Sequence, residues 1–208
     1  MTKILIAILI AAGASELVAA NTSAALGKPG SVLLEDSFAA PSQKDRRPTR
    51  GPWKFVDGVA SCVQNDELYK KFKDHGPALW QDFNFTDAII EFEVKASGSK
   101  TFVFTVNGKD GHVFRFVTGK GRTGVRAWPA DDTEHKSIGT AVGKTGIENL
   151  KEWTKVVVEL KGEKAAVTIG EERLLASHST YAAPKIVVGL GFSFGEASFR
   201  GFRVRELK

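Results

Sequence analysis

The chain has 208 residues, of which 42% are apolar, with 29 Lys and Arg against 24 Asp and Glu and a formal net charge of +5. That excess is mild and spread along the sequence, with no basic stripe interleaved with stacking aromatics, which argues against a nucleic-acid partner. The single cysteine, Cys62, excludes an internal disulfide, so the fold must be held by a hydrophobic core, for which the length is sufficient in one domain.

The sequence opens MTKILIAILIAAGASELVAA, in which Lys3 precedes an apolar run from Ile4 to Ala12 and the small residues Val18, Ala19 and Ala20 follow. This is the layout of a signal peptide over 1–20, with cleavage expected after Ala20 and Ala25 as second choice. The apolar run is well short of the roughly 20 residues needed to cross a bilayer, and no later segment approaches that length. The mature protein is therefore expected to be secreted or periplasmic, without membrane insertion. Residues 1–20 carry one Lys and one Glu, so the mature chain keeps the charge of +5. Residues 21–30 read as a linker and 31–208 as the folded domain. The basic cluster KDRRPTR, 44–50, lies between loop signals at Pro41 and Pro48 and reads as a solvated loop.

From Ser31 onward short apolar alternations of period two are separated by Gly, Asn, Asp and Lys turns. Ala88, Ile90, Phe92 and Val94 share one strand face, as do Phe102, Phe104 and Val106 in the next strand. NGKDG, 107–111, marks a hairpin. Phe114 and Phe116 then point inward, with Val113, Arg115 and Val117 on the other face. Val156, Val158 and Leu160 alternate before the GEK turn, and KIVVGLGF and ASFRGFRVREL close the chain as two long strands. Gly201 breaks the last alternation and implies a bulge. Only NDELYKKF, 65–72, and NLKEW, 149–153, look helical. About twelve strands predict an all-β, two-sheet antiparallel sandwich with Phe92, Phe104, Phe114, Phe116, Val158 and Leu190 in its core.

LLEDSF, WKFVDGVASCV, FTDAIIEFEVK, EWTKVVVELKGEKAAVTIG and SFRGFRVRE together resemble the concanavalin A-like, laminin G-like jelly-roll domains, in particular the bacterial 3-keto-disaccharide hydrolase-like family. The resemblance covers roughly residues 31–207. It implies a jelly roll with a carbohydrate partner and, in the hydrolase-like family, cleavage of glycosides. It also implies that Trp153 is buried under the sheet edge.

Glu91 and Glu93 stand two apart in a strand, about 6.5 to 7 Å between Cα atoms, within the roughly 5 to 9.5 Å that separates the carboxylates of a glycosidase. The laminarinase-like enzymes of the fold carry Glu-x-Asp-x-Glu on one strand face, whereas this face reads Asp87, Ile89, Glu91, Glu93, Lys95. The pair is a weak catalytic candidate beside the simpler reading of a solvated, ion-paired surface. Trp128 shares parity with Arg122 and Arg126, opposite Val125, and offers a sugar an apolar face beside guanidinium donors. Arg115, with Thr101, Thr105 and Asn107 on a comparable face, extends that surface, and His75 in the loop KDHGPAL can reach the mouth of a cleft. Trp53 and Trp80 read as core, and His112 as a partner of the preceding turn. No His or Cys spacing suggests a metal site, although Asp131, Asp132 and Glu134 could gather around calcium. Neither a Ser-His-Asp signature nor a nucleotide fingerprint is present.

The expectation is a carbohydrate-binding module that recognises glycans on one sheet face through Arg115, Arg126, Trp128 and His75, without cofactor. Its alternatives are a glycoside hydrolase of the 3-keto-disaccharide type and a structural or adhesive envelope protein. The oligomeric state is left open by the sequence.

Overall fold

The structure, a computed structural model, describes residues 24–129 and 136–208. In these the alternating runs form β1 (Pro29–Asp36), β2 (Arg46–Thr49), β3 (Lys54–Val56), β4 (Val59–Gln64), β5 (Ala78–Phe85), β6 (Ala88–Ser97), β7 (Thr101–Gly108) and β8 (Gly111–Gly119). There follow β9 (Arg122–Ala127), β10 (Ile138–Gly143), β11 (Thr154–Lys161), β12 (Lys164–Ile169), β13 (Glu172–Ser177), β14 (Lys185–Ser193) and β15 (Gly195–Leu207). One helix, α1 (Asp66–Lys71), joins β4 to β5; the Asn65 side chain caps it by accepting from the Leu68 amide, and Asp66 and Glu67 suit its positive end. The second expected helix is a 3-10 turn at Ile147–Leu150.

Two antiparallel sheets pack face to face. Sheet A runs β13-β12-β11-β6-β15-β4-β3, with β1 also on β15; sheet B runs β10-β9-β8-β7-β14-β5-β2. Gly201, at φ 63°, sits at the register shift between Arg200 and Arg203, and the long β15 pairs with β4 before it and with β1 after it. The bulge expected there therefore lets one strand serve two neighbours.

Side chains from the two inner faces interlock as a phenylalanine stack. Phe92 of sheet A lies parallel to Phe104 of sheet B at 5.7 Å, and Phe104 lies parallel to Phe116 at 5.3 Å. Phe199 and Phe202 extend the stack from β15. All six residues expected in the core are buried. Rings in this offset and edge packing bury large area and add aromatic contacts beyond it.

Several expectations need correction. The cluster 44–50 is not a solvated loop: it forms β2, and Arg46 is buried, paired with Asp36 at 2.9 Å and lying 4.0 Å from the centre of the Phe55 ring. Asp36 also accepts from the Phe38 amide at 2.9 Å and the Gln81 side chain at 2.6 Å, so the buried charge is met on several sides. Val113 belongs to the core, because a register shift between β7 and β8 sets Val106 opposite Phe114 but Asn107 opposite His112. Trp153 is not under the sheet edge but half-exposed, with the Arg200 guanidinium 4.3 Å from its ring. Trp53 does pack against the core, edge-on to Phe192.

From Ala24 the chain lies across the outer face of sheet A. Ala24 and Leu26 cover Ile89, Val157 and Leu207, and the buried Glu159 carboxylate accepts from the amides of Ala25 and Leu26 at 2.8 Å. The signal-like residues 1–20, and Asp131, Asp132 and Glu134, lie outside the described residues.

Candidate functional site

The outward side of sheet B carries one continuous row. Arg47, Trp80, Gly189, Thr105, Arg115, Arg126 and Gly139 are successive cross-strand partners on β2, β5, β14, β7, β8, β9 and β10. Because side chains alternate along each strand, the buried residues on either side of Trp80, Gly189, Thr105, Arg115 and Arg126 force these positions outward. Trp80, expected in the core, is thus on the surface; Leu79 and Gln81 are its inward neighbours.

Trp80 packs closely onto β14 because Gly189 has no side chain. A Cβ at Gly189 would stand 2.4 Å from Cζ3 and 2.6 Å from Cε3 of the indole, well inside van der Waals contact. The ring therefore rests on the neighbouring strand and separates two depressions of about 380 and 410 Å³, both lined by Trp80 and Arg50. The larger is a cleft floored by Val103, Thr105, Gly189 and Gly191 and walled by Arg115, His112 and His75. Arg47 closes the outer end of the row, its guanidinium bidentate on Asp82.

Arg115 is held by a chain of hydrogen bonds. Its Nε donates to Thr105 Oγ1 at 3.1 Å and its Nη2 to His112 Nε2 at 2.8 Å. A guanidinium cannot accept, so Nε2 is the bare nitrogen of His112, and Nδ1–H donates to Asn107 Oδ1 at 2.7 Å. Burial, and secondarily the charge of Arg115, pushes the His112 pKa down to about 4, which keeps the ring neutral and able to accept. Trp128 packs edge-on to His112 at 5.1 Å, with the Arg115 guanidinium 5.0 Å from the indole centre. Burial, and then Arg126, lowers the Arg115 pKa from its ordinary value.

Of the residues expected at a site, Arg115 and His75 line the cleft. Trp128 supports Arg115 from behind, and Arg126 is the next residue of the row, exposed and donating to Ser137. Trp80, Arg50 and His112 were not expected there. The signal that could have found His112 is Gly111 before it, at φ 124°, in a hairpin whose bulge turns the ring outward.

Glu91 and Glu93 are on the other sheet. β6 belongs to sheet A, and both carboxylates point to its outer side, away from sheet B. Glu91 pairs with Lys155 at 3.2 Å, and Glu93 takes a two-pronged bond from Arg200 at 2.7 and 3.0 Å. Lys95 pairs with Glu152 at 3.6 Å. No group of three or more His, Cys, Asp or Glu that could hold a metal occurs among the described residues. No helix among them is long and apolar enough to cross a membrane.

No model of a known protein family matches the chain, and no curated protein matches it. Solved structures do. A Bacillus subtilis protein of unknown function with a galectin-like fold superposes with a TM-score of 0.66 at 13% identity, over 86% of this chain and 98% of its own. The carbohydrate-binding module CBM66 of Bacillus subtilis gives 0.58 at 9% identity, over 78% and 96%. A non-specific endo-beta-1,3(4)-glucanase of family GH16 gives 0.60 at 10% identity, over 89% and 97%. At such identities the likeness is one of fold, and the chain has the two-sheet concanavalin A-like jelly roll.

Proposed function

We propose that this chain is an exported carbohydrate-binding module whose ligand lies along the outer side of sheet B, over Trp80 and into the cleft beside it. The observation that carries the reading is the seat of Trp80 on Gly189, which holds the indole against β14 beside a row of hydrogen-bond donors. A pyranose needs that pairing: an apolar face for its C–H groups and polar groups in plane for its hydroxyls. Thr105, Asn107, His75 and the guanidinium of Arg115 supply the polar part. Carbohydrate-binding and glucan-cleaving proteins share the fold, which agrees with a glycan partner.

Binding is favoured over cleavage because, among the described residues, no carboxylate lines the cleft, and Asp82 at the end of the row is held by Arg47. Glycoside cleavage needs a carboxyl pair flanking the bond. A glycan array followed by calorimetry on Trp80→Ala tests the proposal. Binding should fall by about 1 to 2 kcal/mol through lost stacking area. Glycan binding that survives Trp80→Ala intact would refute the face.

A further inference from the structure

The polar groups of the cleft are unbalanced in charge. Arg50 enters from the end of β2 and Arg115 from β8 on the far side; they stand on opposite sides of the trough floored by Gly189, Gly191 and Thr105. Among the described residues no acidic side chain lines the trough between them. Arg50 holds an unusual backbone conformation for a side-chain-bearing residue, φ 58°, and its Nε is buried without an acceptor among the described residues. A buried donor left unpaired costs stability, so its persistence calls for an explanation. Arg115 spends Nε on Thr105 and one Nη2 proton on His112, and neither partner carries a negative charge. Neutral His112 fixes this guanidinium without cancelling its charge. The two arginines of β2 are neutralised, Arg47 by Asp82 and Arg46 by Asp36, whereas Arg126 beside Arg115 donates only to Ser137 and adds to the positive charge.

Two half-buried cations that keep their charge, one with an orphaned donor, match an anion. We propose that the cleft selects an anionic saccharide, whose carboxylate or sulfate is gripped by Arg50 and Arg115 while its ring rests on Trp80. A guanidinium presents parallel N–H groups at the spacing of two acid oxygens, which a lysine could not reproduce. Thr105 and His75 remain for hydroxyls of the same residue. This inference rests on the proposed glycan-binding face and narrows its ligand from any sugar to a charged one.

The test is calorimetry on the full protein with an oligogalacturonide, its methyl ester and a sulfated neutral oligosaccharide. Esterification removes the charge and keeps the ring. The expected result is at least about a tenfold preference for one of the anionic forms over the ester, with the preferred arm identifying carboxylate or sulfate. The preference should weaken as salt rises. Arg50→Gln and Arg115→Gln should each bring the ratio close to one, and Arg50→Lys should recover only part of it. Equal affinity for acid, sulfate and ester, or an anion preference untouched by Arg50→Gln in a variant that still melts cooperatively, would overturn the inference. Binding of neutral sugars that depends on Trp80 alone would leave the glycan face standing and sink only the anion. Failure of all saccharides to bind would remove both.

Discussion

Gly189→Ala perturbs the site without removing any side chain that would contact a ligand. The new Cβ would lie 2.4, 2.6 and 3.0 Å from three carbons of the Trp80 ring, while its backbone conformation accepts a side chain without strain. Since carbon atoms settle at about 3.5 to 4.0 Å, the ring must retreat by about 1 Å or more. Lifted off the strand, it loses its seat on β14. One indole face is about a third of the roughly 200 Å² a tryptophan can bury. At about 25 cal/mol per Å² its loss is worth about 1.5 to 2 kcal/mol of binding, or roughly 10- to 30-fold in Kd. The fold should suffer less. Crowding costs about 1 to 3 kcal/mol, offset by about 0.5 to 1 kcal/mol from replacing glycine in a strand. Tm should then drop by about 2 to 4 °C per kcal/mol of net loss. Calorimetry with whichever glycan the wild type binds, beside a thermal melt, measures both. Affinity preserved within about twofold in Gly189→Ala would refute the claim that the indole seated on Gly189 is the platform.

His112 should titrate near pH 4 in a proton-resonance titration, and Arg115→Ala should raise that midpoint, because burial and then the neighbouring guanidinium hold it down. Its folded pKa lies below the unfolded value of about 6.5, so as pH falls from about 6.5 to 4 the unfolded chain takes the proton first and stability declines. Urea melts of His112→Gln should show a shallower decline over that window than the wild type, and an unchanged slope would contradict the assignment. Asp36→Ala should cost about 3 to 5 kcal/mol in denaturant unfolding, since it leaves Arg46 buried and unpaired; a loss below about 1 kcal/mol would show that the pair is relieved by rearrangement. Glu91→Gln and Glu93→Gln should each change stability by at most about 1 kcal/mol as exposed ion pairs and leave glycan binding unchanged. Loss of a measured saccharide turnover in either variant would instead restore them as acid and base.

The core was legible because Phe92, Phe104, Phe114 and Phe116 recur at period two and nothing competes with that reading. What the strands do in pairs was not. Nothing in FTDAIIEFEVK or GHVFRFV says that the first pairs with β11 and β15 and the second with β7 and β9, yet that pairing sets Glu91 and Arg115 on opposite outer faces. In GPALW both Ala78 and Leu79 are apolar, so the parity of Trp80 is ambiguous until Gly189, more than a hundred residues away, makes room for it. Charge density hid β2: the six polar or charged positions in KDRRPTR mask the inward direction of one of them, Arg46, whose partner Asp36 lies in another strand. A local break such as Gly201 could be read, because its effect is confined to one strand. Seats that depend on a partner strand could not.

The crossing of residues 24–28 over sheet A has a consequence for how the protein can be held. Lys28 and Lys208 exchange backbone hydrogen bonds at 2.8 and 2.9 Å, so the polypeptide enters and leaves the sandwich side by side, on the sheet opposite the cleft. A tag, a surface or a fused domain attached at residue 208 would therefore sit on the side opposite Trp80 and the arginines. The same proximity permits a circular permutant in which a short glycine linker joins 208 to 28 and new ends open at the turn between β8 and β9, a rearrangement in which the outer row of sheet B would keep its order of strands while the tether moved to its own rim.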